Sequence, residues 1–326
     1  ADHPPAVSND NGGKYQSFKH PKIFQQSTAF ASSRFKNNLC LYGAISLDEK
    51  KISGIIKVKD EQSIPQVVLK LPKGYFVQVL KEDYHTKGRF YAYIEGPLAE
   101  KAGLYISEDW GNNWQKINLD LPDYIKTLPH RAEFIENELL NIVVGQRKNV
   151  CGTNKLLEVD PFQPNTIYFG EWTEGLFKST DHGENWFRID SDLPFDNNYV
   201  STLTVVKSDP ERKNRLYAGF VREGLWYSDN GGGNWNKMFP LDGLIFNATS
   251  IALKDKEIYL AGEQLFHAQC EPAVYFSPDL GATWYNIMDK NLGALRIKGI
   301  ALEKKSGRLH VVTSGNGCFY VDCNYV

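Results

Sequence analysis

Short apolar runs, broken by clusters of Gly, Asn, Asp, Ser and Pro, recur along the whole chain. Runs of this length, rich in β-branched and aromatic residues and bounded by turn formers, predict strands rather than helices. The strands come in sets of four. The clearest set is 155–161, 165–170, 175–179 and 186–190. The next two are 201–207, 215–220, 224–228 and 235–238, then 249–255, 257–262, 273–277 and 284–288. An earlier set occupies 77–82, 89–94, 103–107 and 114–118, and a more degenerate one 27–31, 38–44, 53–58 and 66–71. The last residues supply three strands only, at 297–302, 308–313 and 318–322.

A polar turn marks the passage from third to fourth strand. It reads Ser179-Thr180-Asp181-His182-Gly183-Glu184-Asn185-Trp186, with further copies beginning at Ser107, Ser228 and Ser277. The common pattern is Ser-x-Asp-x-Gly-x-x-Trp, with Asn230 in place of Asp in one copy. The acidic or amide side chain accepts backbone N–H bonds, Gly allows a positive φ, and Trp anchors the turn on apolar residues beneath it. Ser179 to Ser228 and Ser228 to Ser277 are both 49 residues apart, whereas Ser107 to Ser179 is 72. A further near-copy, Ser8 to Tyr15, precedes Gln16-Ser17-Phe18.

A strand-rich period of this length predicts an all-β, single β-propeller of four-stranded blades over residues 1–326. Six blades are expected, or seven if the long interval hides a small one. An N-terminal strand at Gln16-Ser17-Phe18 would join the three C-terminal strands and close the ring, which removes open sheet edges. The long interval, 122–154, reads as an insertion or a long inter-blade loop.

Composition narrows the function classes. The 326 residues carry a formal charge of −2, so no basic field marks a nucleic-acid partner. No apolar run reaches the length of a membrane-spanning helix. The start at Ala1-Asp2-His3-Pro4-Pro5 reads as a processed N-terminus, from which a secreted or periplasmic location is expected. The five cysteines are odd in number, and no Cys-x-x-Cys or clustered His–Cys spacing points to a metal. Asp192, Asp196, Asn197 and Asn198 are rich in oxygen, but their spacing matches no defined calcium loop. No metal and no cofactor are therefore expected. Asn247-Ala248-Thr249 is a glycosylation sequon.

The repeats resemble the Asp-box, or bacterial neuraminidase repeat, families. Within these, the segment from Asn149 to Trp186 looks most like the xyloglucanase-type glycoside hydrolases. It carries Asn149-Val150-Cys151-Gly152-Thr153-Asn154, Leu157-Glu158-Val159-Asp160-Pro161, Asn165-Thr166-Ile167-Tyr168-Phe169-Gly170 and Gly175-Leu176-Phe177-Lys178-Ser179-Thr180-Asp181. The resemblance implies a propeller fold and action on a polysaccharide. That family pairs two seven-bladed propellers with one catalytic Asp from each, whereas this chain has room for one. Its first-blade Thr-Asp-x-Gly-Gly motif has no copy here, and Ser46-Leu47-Asp48-Glu49 stands nearby. Sialidases also carry such turns, but the Arg-Ile-Pro motif they need is absent. Sorting receptors and photosystem assembly factors show that the turn itself specifies no activity.

Chemistry is expected on loops joining second to third strands. These carry carboxylates in register around one rim: Asp48, Glu171, Glu174, Glu223 and Glu263. Glycoside hydrolysis needs two carboxyl groups across a scissile bond, one as acid and one as base or nucleophile. Glu171, Glu174, Glu223 and Asp48 are the catalytic candidates. Trp172 offers a stacking platform for a sugar, and Arg222, Glu263 and His130 are candidate substrate-binding groups. The expected partner is a polysaccharide or glycan. The alternative is a propeller that binds a glycan or a protein without turnover, as a sorting or assembly factor.

Overall fold

The computed structural model describes residues 6–7, 16–17, 26–37, 39–45, 53–59, 63–72, 74–96, 100–117, 156–171, 175–195, 203–239, 244–266, 269–288, 297–303, 306–313 and 318–323. Every regular element among them is a β-strand. A two-stranded ribbon pairs β1 (Ala6–Val7) with β2 (Gln16–Ser17). The first four-stranded sheet holds β3 (Gln26–Ser32), β4 (Cys40–Ile45), β5 (Ser53–Val58) and β6 (Gln66–Leu71). The second holds β7 (Phe76–Glu82), β8 (Phe90–Glu95), β9 (Gly103–Ser107) and β10 (Gln115–Lys116). The third holds β11 (Leu157–Val159), β12 (Ile167–Glu171), β13 (Gly175–Ser179) and β14 (Phe187–Arg188). The fourth holds β15 (Leu203–Ser208), β16 (Leu216–Phe220), β17 (Gly224–Ser228) and β18 (Asn236–Phe239). The fifth holds β19 (Ile245–Lys254), β20 (Glu257–Phe266), β21 (Gln269–Ser277) and β22 (Tyr285–Asn286). A three-stranded sheet of β23 (Ile297–Glu303), β24 (Arg308–Thr313) and β25 (Cys318–Asp322) ends the series.

Within each sheet, strands neighbour one another in chain order. The sets of four expected from the apolar runs are thus present. Gln16–Ser17, expected beside the C-terminal strands, is paired with Ala6–Val7. The segment 122–154 lies outside the described residues.

The chain divides into two compact units. The first comprises Ala1–Val159, Pro164–Ile167 and Ser179–Trp186; the second comprises Asp160–Gln163, Tyr168–Lys178 and Phe187–Val326. In the first unit, Leu41, Ile55, Val77, Leu80, Phe90 and Ile94 form a core between the first two sheets. The opposite face of the first sheet buries Cys40, Tyr42, Ala44, Ile56 and Val58. Burial pushes the Cys40 thiol up to about 11, so it stays protonated. In the second unit, the fifth sheet is buried on both faces. Phe246, Ile251, Ile258 and Leu260 pack toward Val205, Leu225 and Phe239. Tyr259, Val274 and Phe276 pack toward Ile297, Leu309 and Val311. Double-sided burial explains why the middle strands read as unbroken apolar runs rather than alternating ones.

Among the described residues, the first strand of five sheets carries a bulge, at Thr28, Gln78, Thr204, Thr249 and Lys298. The Thr204 hydroxyl donates to Gly219 O at 2.9 Å and lies 2.6 Å from Ala248 O, so it ties its own sheet to the next. A Cβ on Gly219 would collide with Val205 Cγ1 and lie 2.9 Å from Ala248 Cβ. Glycine is required there because two inner strands approach closely.

Cys318 opens β25 and Cys323 follows its last residue, so the two stand at opposite ends of the strand. Among the described residues, no helix is long and apolar enough to cross a membrane.

Candidate functional site at the strand-two to strand-three end

The second to fifth sheets each have two ends with different chemistry. One end carries the Ser-x-Asp turns. Ser179 Oγ donates to Asp181 Oδ1 at 2.8 Å and accepts the Gly183 N–H at 2.7 Å, while Asn185 N–H reaches Asp181 Oδ1 at 2.9 Å. The copies at Ser107 and Ser277 repeat this geometry. Asn230 does the same work as an amide: it accepts from Ser228 Oγ at 2.9 Å and from Asn234 N–H at 3.1 Å. The indoles of Trp114, Trp186 and Trp284 donate to the carbonyl of the turn glycine. Trp235 departs from this and donates to Ile189 O at 2.6 Å.

Partial burial works against the charge on Asp109 and Asp181. Hydrogen bonds from Asn113 and Ser107, and from Asn185 and Ser179, outweigh it and hold both carboxyls below the ordinary aspartate value. At Asp279 the Thr283 backbone and hydroxyl donors do the same. These acids are committed to their own turns.

The turns also show a feature the pattern did not expose. The residue before each glycine has positive φ as well: Trp110 at 65°, His182 at 63° and Leu280 at 59°. Each donates its N–H to the connection between the first two strands of its own sheet, as Trp110 does to Gly88 O at 2.8 Å and His182 to Asn165 O at 2.9 Å. That connection is itself capped by an acid. Asp160 Oδ1 accepts the N–H groups of Phe162 and Gln163, and its Oδ2 accepts the Tyr168 hydroxyl at 2.7 Å. Asp83 with Tyr91 and Asp209 with Tyr217 repeat the arrangement. The eight-residue Asp-to-Tyr spacing is a readable signal that the strand assignment, ending at Pro161, passed over.

The opposite end carries the connections between second and third strands. In the second unit, Arg222 has φ 66° and is exposed, and its N–H donates to Asn247 Oδ1 at 2.8 Å. Glu223 is half-buried, bridges to Phe246, and its Oε2 lies 2.9 Å from Lys237 Nζ. Lys237 pairs with Trp226 across β17 and β18 and lies 6.0 Å from its ring. Asn247 on β19 faces Glu263 on β20, and both are buried. Glu263 therefore stands within a strand and not in the loop expected, because β20 continues to Phe266 and lengthens the hairpin. Arg222, Glu223, Asn247 and Glu263 are brought to the same end of two consecutive sheets. Asn247 and Lys237 were not among the sequence candidates. Asn247 read as a sequon, yet its buried amide is engaged with Arg222, so the folded chain does not present it for modification.

Glu171 closes β12 by its backbone, while its side chain lies outside the described residues. Asp48, Trp172, Glu174 and His130 lie wholly outside them. Among the described residues, no three His, Cys, Asp or Glu gather so as to hold a metal.

No family model and no curated protein matches the chain. Solved structures do. A GH74 enzyme from Niastella koreensis is 15% identical over 98% of this chain and 49% of its own, with a TM-score of 0.70. The GH74 xyloglucanase from Xanthomonas campestris is 13% identical over 98% of this chain and 49% of its own, with a TM-score of 0.73. YCF48 from Cyanidioschyzon merolae is 12% identical over 93% of this chain and 84% of its own, with a TM-score of 0.58. The chain thus spans about half the length of the two GH74 enzymes. At such identities the likeness is one of fold: this chain is all-β, built of repeated four-stranded antiparallel sheets, and its structural neighbours are β-propellers.

Proposed function

We propose that the chain is a carbohydrate-active β-propeller, a glycoside hydrolase or related polysaccharide-degrading enzyme. In this reading its carboxylates work at the sheet ends opposite the Ser-x-Asp turns. The observation that carries it is the placing of Arg222, Glu223, Asn247 and Glu263 at that end of two consecutive sheets. The resemblance of 149–186 to xyloglucanase-type hydrolases and the fold likeness to GH74 enzymes support it. Residues 1–326 form one Asp-box propeller of six blades, with 122–154 as an insertion or long inter-blade loop within it. The chain works outside the cytoplasm, secreted or periplasmic.

Two of Glu171, Glu174, Glu223 and Asp48 flank the scissile bond. One protonates the glycosidic oxygen, and the other activates water or attacks the anomeric carbon. Trp172 stacks on a sugar ring, and Arg222, Glu263 and His130 hydrogen-bond its hydroxyls. The test is release of reducing ends, or of unsaturated product, from a panel of soluble plant, algal and host polysaccharides.

A second reading, a propeller that binds glycan or protein without turnover, is favoured by one observation. Glu223 is already held by Lys237 at 2.9 Å. Retention of a polysaccharide with no product in the same panel would select it.

A further inference from the structure

We propose that His182 and Arg89 form an acid-operated latch holding the 179–186 turn against the second sheet. Arg89 Nη1 lies 2.6 Å from His182 Nδ1. A guanidinium donates and cannot accept, so Nδ1 must carry a lone pair and the imidazole must be neutral. A proton on Nδ1 would remove the acceptor and set two cations side by side. The contact cannot survive that change.

The surroundings leave Arg89 no easy retreat. Its Nε donates to Glu108 at 2.9 and 3.1 Å, its Nη1 lies 3.6 Å from Asp83 Oδ2, and its side chain is 13% exposed. Tyr91 Oη stands 3.4 Å from Asp83 Oδ2 and 3.5 Å from His182 Nδ1. The groups facing His182 are thus Arg89, Tyr91, Asp83 and Glu108 from the second sheet and Glu184 from its own turn. Asp83, Glu108 and Glu184 favour the imidazolium, but burial and the Arg89 charge outweigh them and hold His182 below the ordinary histidine value. The same turn approaches the end of the second sheet at Gly183, where an added Cβ would lie 3.3 Å from Ile117 Cδ1.

The other repeats serve as internal controls. His182 occupies the position before the turn glycine, where Trp110, Gly231 and Leu280 stand elsewhere. None of these titrates near neutrality. Arg215 matches Arg89, since Asp209 N–H donates to Arg215 O as Asp83 N–H does to Arg89 O. Arg215 likewise pairs with Asp229 at 3.1 Å. That repeat has the Arg–acid pair without a histidine beside it.

A histidine whose folded value is depressed contributes stability that is complete above its unfolded value, about 6.5, and is lost as pH falls below it. The 179–186 turn should therefore loosen in acid while the 228–235 turn does not.

The test is an NMR titration of the His182 imidazole in the wild-type chain, with amide exchange at Gly183, Asn185 and Trp186 compared at pH 7.5 and 5.0. The expected result is a His182 midpoint below 6.5 and exchange, corrected for intrinsic rate, that is about tenfold faster in acid. Exchange at Gly232 and Asn234 should not change. His182→Asn, which tolerates the positive φ, should abolish the acid response of the 179–186 turn. A His182 midpoint at or above 6.5, or an equal acid response in His182→Asn, would overturn the proposal.

Discussion

Lys237 Nζ lies 2.9 Å from Glu223 Oε2, beside the Trp226 ring and at the opposite end of the fourth sheet from the Ser228 turn. Both side chains are more than a third exposed, at 40% and 34%, so the pair adds little to folding. Lys237→Met should change the urea unfolding free energy by less than about 1 kcal/mol. Its effect should appear instead in the interaction of the chain with a glycan. A loss of several kcal/mol in the unfolding curve would make the pair a structural element and weaken Glu223 as a working group.

Asn230 performs as a neutral amide what Asp109, Asp181 and Asp279 do as carboxylates. Asp181→Asn keeps the Oδ1 acceptor and loses the Asn185 Nδ2 bond to Oδ2, so it should cost less than Asp181→Ala at pH 7. Asp181→Ala, which removes the acceptor of the Asn185 N–H and the partner of Ser179, should cost about 1–3 kcal/mol by chemical denaturation. Equal losses in the two variants would show that charge, and not acceptor geometry, holds the turn.

Acid titration of stability follows from the same acids. Folding lowers the carboxyl values of Asp109, Asp181 and Asp279. A depressed carboxylate contributes stability above its unfolded value, near 3.9, that is lost as pH falls through the folded value. The triple variant Asp109→Asn, Asp181→Asn, Asp279→Asn should have a shallower acid limb below about pH 4 than the wild type. Coinciding acid limbs, measured by urea midpoints, would contradict this account.

The repeat, the four strands per unit and the polar turns were legible in the sequence because each rests on local chemistry. Ser179, Asp181, Gly183 and Trp186 are fixed within eight residues, and their hydrogen bonds close within that span. Two features were less legible. The bulge at Thr204 reveals itself only when its hydroxyl is seen to reach Ala248 on the next sheet, a contact no local pattern encodes. The extension of β20 to Phe266 moved Glu263 from a loop into a strand, because Gln264 and Glu271, both polar, continue the ladder as a cross-strand pair. The candidate site was the least legible part. Glu223 bridges to Phe246 on the next sheet, a pairing that sequence register alone does not encode.

Gly219 offers a direct test of that packing. Gly219→Ala places a methyl group against Val205 and Ala248, and should destabilise the chain by about 1–3 kcal/mol. The substitution adds a single carbon and alters no polar group. A thermal unfolding midpoint unchanged from wild type would show that the inner strands have room to separate.

Carbohydrate chemistry at the strand-two to strand-three end would show itself as product release. Product release from the polysaccharide panel is followed for the wild type, Glu171→Gln and Glu223→Gln, with binding of the same polysaccharide measured alongside. The wild type should turn over, with loss of at least about a hundredfold in one glutamine variant that still binds. Binding without product in all three chains would contradict this and leave a propeller that holds its ligand without cutting it.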